Sequence, residues 1–80
     1  MMLQVNCPIV GMIKDKIDGL ELDGVTYKVK KLHALILDVN FTGEDSEKAK
    51  GLLLKYLHEL PEMGSRFLSI KITDDLGNIL

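Results

Sequence analysis

Eighty residues with a net charge of −2 and 46% hydrophobic residues make one globular domain, 1–80, and exclude a disordered chain or one with a general attraction for nucleic acid. Cys7 is the only cysteine, which excludes an intrachain disulfide and fits a reducing, cytoplasmic setting. No stretch approaches the ~20 apolar residues that span a bilayer, and Gln4 and Asn6 break the first apolar run, so neither a membrane segment nor a secretory signal is expected.

Met2 to Val10 reads as a first strand, with Leu3, Val5 and Cys7 alternating with Met2, Gln4 and Asn6. Pro8 cannot donate to a ladder, so this strand either lies at an edge or ends there. Gly11 to Asp18 is ambiguous. Its apolar Met12, Ile13 and Ile17 share a helical spacing, but eight residues are marginal for a helix, and a loop with about one helical turn is expected. Leu20-Glu21-Leu22, Asp23-Gly24 and Val25 to Val29 form a hairpin signal, because both central positions of a type I′ turn need positive φ. Val25, Tyr27 and Val29 share one face of the second arm, and Thr26, Lys28 and Lys30 the other.

Leu32 to Val39 hardly alternates and predicts a central strand with both faces partly covered. Ala49, Leu52, Leu53, Tyr56, Leu57 and Leu60 then repeat as an amphipathic helix over Asp45–Leu60. Asp45 or Ser46 is its N-cap, Glu47 favours its positive end, and Pro61 stops it. Gly51 inside this helix is expected to mark close contact with the sheet. Phe67 to Thr73 is another strand, Asp74 to Asn78 a turn, and Ile79-Leu80 the start of a final strand. A helix of about 15 residues spans the return length of a strand, so it would join two parallel strands. The expected fold is therefore α+β: a small mixed, mostly antiparallel sheet of about five strands with one long amphipathic helix on one face.

No catalytic signature stands out, and an enzyme is not expected. His33, His58 and Cys7 are too scattered for zinc, and Ser65 and Ser69 lack any nucleophile context. Lys28, Lys30 and Lys71 could line an uncovered sheet face, but a single-strand nucleic-acid platform needs aromatics among them, so no nucleic-acid partner is expected.

The segment with the most chemistry is Asp38-Val39-Asn40-Phe41-Thr42-Gly43. Oxygen-bearing side chains at positions one, three and five, with glycine at six, open a calcium loop of the EF-hand type. Calcium needs six to eight oxygens, so alternate side chains must turn inward. Position nine is Ser46, but position twelve is Ala49 where a bidentate glutamate belongs, and a strand rather than a helix precedes the loop. Glu44, Asp45 and Glu47 offer replacement carboxylates. The ordinary alternative is that Asp38 and Asn40 mark the wet end of a strand, while Glu44, Asp45 and Glu47 stabilise a helix start. A second acidic turn, Asp74-Asp75, either faces the same end or is an ordinary turn.

The segments Asn6-Cys7-Pro8-Ile9-Val10-Gly11 and Lys31-Leu32-His33-Ala34-Leu35-Ile36-Leu37-Asp38-Val39 resemble a family of short archaeal proteins of methanogens, a domain of unknown function. That resemblance implies a compact α+β fold and calcium binding through acidic residues, here Asp38, Asn40, Glu44, Asp45 and Glu47. The expected function is thus weak binding of Ca2+ or another divalent cation. The alternative is a protein-interaction module or homodimer that uses the uncovered sheet face or an edge strand.

Overall fold

A computed structural model describes every residue except Gly77. In chain order the elements are β1 (Met2–Asn6), α1 (Val10–Ile17), β2 (Glu21–Leu22), β3 (Val25–His33), β4 (Ile36–Phe41), α2 (Ser46–His58) and β5 (Ser69–Thr73). The five strands form one sheet in the order β2-β3-β4-β1-β5, and every neighbouring pair is antiparallel. The fold is α+β as expected, but the sheet is antiparallel rather than mixed. β4 and β5 do run parallel, joined by α2 as the helix length required. β1 lies between them, however, so they never pair. Pro8 accordingly stands beyond an interior strand that ends at Asn6, not on an edge. With the two-residue β2 set aside, this is a β-α-β-β-α-β chain of split βαβ type.

A second helix replaces the loop expected at Gly11–Asp18. Local chemistry secures α1 only weakly: its first turn holds no acid and no side chain caps it, and only Lys14 and Lys16 near its negative end favour it. Val10, Ile13 and Ile17 bury one stripe, laid over β3 and β4, while α2 lies over β5 and β1. Packing therefore supplies the stability that eight residues lack alone. The amphipathic helix begins one residue after its N-cap, Asp45, and ends at His58. Successive turns at Leu60, Met63 and Arg66 carry the chain away, with Gly64 at a φ of 51°.

The stretch Leu32–Val39 is two strands, not one. Ala34 adopts a φ of 54°, and the chain reverses so that His33 pairs with Ile36. A non-glycine residue in that region is uncommon, which is why no turn was legible there. At Asp23-Gly24, φ values of 48° and 83° make the hairpin as expected.

The strand register sorts side chains cleanly, because cross-strand partners share a face. On the helix side stand the rows Val29-Val39-Leu3-Ile72 and Leu32-Leu37-Val5-Ile70, with Tyr27 opposite Phe41. Leu3, Val5, Leu37 and Val39 are fully buried there with Ile13, Ile17, Leu53 and Leu57, each contributing about 1.5–3 kcal/mol. On the other side stand Lys28-Asn40-Met2-Thr73, Lys31-Asp38-Gln4-Lys71 and His33-Ile36-Asn6-Ser69. A bulge between Val29 and Lys31 displaces Lys30 from the alternation, so Lys31, not Lys30, shares a face with Lys28.

One side-chain bond ties the sheet to the second helix. The Tyr27 hydroxyl, on β3, donates to the Ala49 carbonyl of α2 at 2.7 Å. Burial pushes its pKa up to about 12 from an ordinary 10.0. A raised acid contributes stability that is complete below pH 10 and is lost as pH climbs through about 12. Tyr27→Phe should cost about 1 kcal/mol at neutral pH and flatten the alkaline fall in unfolding free energy, as read by urea denaturation across that range. Gly51 is exposed, and a Cβ added there meets nothing within 4 Å, so the expected sheet contact is absent. Gly51→Ala should raise the unfolding free energy by roughly 0.5–1 kcal/mol and Tm by about 2–8 °C, measurable by thermal denaturation.

Candidate functional site

β4 leaves the sheet at Phe41, and its exit is pinned to the start of β3. The Thr26 amide donates to the Thr42 hydroxyl at 2.9 Å, and the Thr42 amide to the Thr26 carbonyl at 3.0 Å. Gly43, at a φ of 89°, turns the chain toward α2. The Asp45 carboxylate then accepts from the Lys48 amide at 3.0 Å, completing a side-chain N-cap.

Because β3 and β4 are paired here, the Asp23-Gly24 turn lies beside this loop. Together they enclose a cleft of about 400 Å³, lined by Asp23, Thr42, Glu44, Asp45 and Lys48 with the backbone of both glycines. The Lys48 ammonium lies 3.5 Å from the Asp23 carboxylate. Glu44 also borders a second hollow of about 340 Å³ with Met1 and Phe41. The Met1 ammonium, in turn, donates to Asp75 at 3.0 Å. Met2 pairs with both Asn40 and Thr73, so the acidic Asp74-Asp75 segment does face the same end of the sheet. Asp74 folds that segment by accepting from the amides of Leu76 and Asn78, each at 2.9 Å. Gly77, part of the expected turn, lies outside the described residues.

The five expected ligands are divided. Glu44 and Asp45 share the cleft, whereas Glu47 stands exposed in the first turn of α2, outside its lining. Asp38 and Asn40 lie on the sheet face opposite the helices. Asp38 is flanked by Gln4 and Lys31, and Asn40 by Met2 and Lys28. The His33 Nε2 atom is 3.7 Å from the Asp38 carboxylate.

A calcium loop of the EF-hand type must curl, so that positions one, three and five converge. β4 cannot curl, because it is paired to β1 through Asn40 and to β3 through Phe41. In an extended strand, positions two apart stand roughly 6–7 Å from each other. Among the described residues, no group of three or more His, Cys, Asp and Glu side chains is gathered closely enough to hold a metal ion.

Asp23 is the cleft residue that the sequence reading missed. Its turn was legible, but its docking beside a loop some twenty residues later depends on the β3–β4 register. Cys7 is fully buried. Desolvation raises its pKa, partly offset by a backbone hydrogen bond from Ile9, which disfavours the nucleophilic thiolate. No helix among the described residues is long and apolar enough to cross a membrane.

Comparison with protein-family models, curated proteins and solved structures gives no match for this chain.

Asp45→Ala should cost about 1 kcal/mol of stability through loss of the cap, and Glu44→Ala much less, since Glu44 caps nothing. Urea unfolding of the two variants checks the difference.

Proposed function

We propose that this chain is a non-catalytic, cytoplasmic domain that takes a divalent cation, calcium foremost, weakly at its acidic end. The cation would sit between the Asp23-Gly24 turn and the Thr42–Asp45 loop. The observation that carries this reading is the cleft lined by Asp23, Glu44 and Asp45 together with Lys48, whose ammonium lies 3.5 Å from the Asp23 carboxylate. Hard cations prefer such oxygen ligands. Glu47, one turn into the helix, adds to the negative potential.

Affinity is low for two physical reasons. The carboxylates are exposed and already hydrated, and Lys48 must swing away from Asp23 before a metal ion can replace it. Asp38 and Asn40, on the opposite face of the sheet, take no part.

A calcium titration followed by amide shifts tests the proposal. Residues 23–24 and 42–48 should move selectively at about millimolar calcium, while Asp38 and Asn40 stay in place. Asp23→Asn should weaken the response, and Lys48→Met should strengthen it by removing the competing charge. Silence of the 23–24 and 42–45 amides at that concentration would refute the site. A Lys48→Met variant no tighter than the parent chain would show that the cation does not compete for this cleft.

A further inference from the structure

Both helices cover the same face of the sheet, and neither covers the other face of β3, β4, β1 and β5, where Met2 and Thr73 at one end are buried but Lys28, Lys31, His33, Asn40 and Lys71 are exposed. Its twelve register positions hold lysines at 28, 31 and 71, the amides of Gln4, Asn6 and Asn40, and one carboxylate, Asp38. The three lysines are exposed, and among the described residues none has a carboxylate within 4.0 Å. Asp38 itself is drawn toward His33 and its side chain is only 16% exposed. In a chain of net charge −2, this face is therefore positive, while acidic residues concentrate in the loops at one end.

We infer that this uncovered sheet face docks a carboxylate-rich segment of a partner protein, held by Lys28, Lys31 and Lys71. Charge complementarity selects the sign of the partner. Lys31 and Lys71 occupy the two ends of one cross-strand row, three strand spacings or roughly 14 Å apart, and the amides between them offer hydrogen bonds to a peptide laid across the strands. Three features disfavour the other occupants. Among its twelve positions the face has no Phe, Tyr or Trp, and its one ring, His33, stands beside Asp38, short of the run of aromatic platforms on which successive bases stack. Asp38 interrupts the positive track that a continuous phosphate backbone would need. A second copy brought face to face would set lysines against lysines. Addition of a strand at the β3 edge is also opposed. Segment 18–22 already bonds to Val25–Val29 there, and the remaining edge carries Lys30, Lys31 and the bulge.

The test is an amide-shift titration of the full chain with a synthetic hexaglutamate peptide, run beside a single-stranded oligonucleotide of equal charge. The expected result is selective movement of residues 4, 28, 31, 38 and 71, suppressed by 0.5 M salt, a concentration that shortens the Debye length to about 4 Å. The double variant Lys31→Gln/Lys71→Gln should bind the peptide about tenfold more weakly, with an unchanged spectrum elsewhere because both side chains are exposed. Asp38→Asn should bind it more tightly. An unmoved uncovered face, or a double variant that binds like the parent chain, overturns the inference. Tighter binding of the oligonucleotide than of the peptide overturns it in favour of nucleic acid.

Discussion

The placement of β1 between β4 and β5 governs the rest of the molecule. Once β1 takes that slot, β4 and β5 cannot pair, and α2 must carry the chain over β1 to reach the far edge. In the same way α1 must carry it over β4 to reach β3. Two crossovers on one side leave one face of the sheet buried and the other open. The register then fixes which residues belong to each face, and the apolar rows of β1, β4 and β5 match the apolar stripes of both helices. Tyr27 completes the arrangement by reaching from β3 beneath one helix to the backbone of the other.

The same placement gives the molecule its electrical polarity. β4 and β5 end beside the start of β1, and the β2–β3 turn lies at that end too. The acids of three separate loops therefore collect there, around the Lys48 and Met1 ammonium groups. The positive end of α2 points into this region, which lowers the cost of gathering negative charge. The open face has the opposite character, because the alternation of β3 turns its lysines outward and the bulge brings Lys31 into line with Asp38. One chain thus presents two surfaces of opposite sign, each assembled from residues far apart in sequence.

Strong local signals survived folding intact. The Asp23-Gly24 turn, the apolar stripe of α2, its Asp45 cap and the alternation of β1 and β5 all follow from backbone chemistry or periodicity within a few residues. Weak local signals failed where a distant partner decided. The helix α1 has no side-chain cap and few residues, and exists because β3 and β4 offer its apolar stripe a surface. The Ala34 turn uses a conformation that alanine rarely adopts, so no residue announced it. Asp38, Asn40 and Thr42 had the spacing of a metal loop, but pairing on both sides keeps Asp38 and Asn40 extended.

The sequence by itself determined an α+β domain, the approximate course of its strands, its principal helix and the presence of an acidic segment. These depend on short-range periodicity, capping and turn chemistry, all encoded in neighbouring residues. The tertiary structure alone decided the strand order, the second helix and the membership of the acidic cleft. It set Asp23 beside Glu44 and Asp45, and it sent Asp38 and Asn40 to the other face. The reason is that a side chain's neighbours across a sheet depend on register, and register is settled by the packing of the whole apolar face rather than by any single segment.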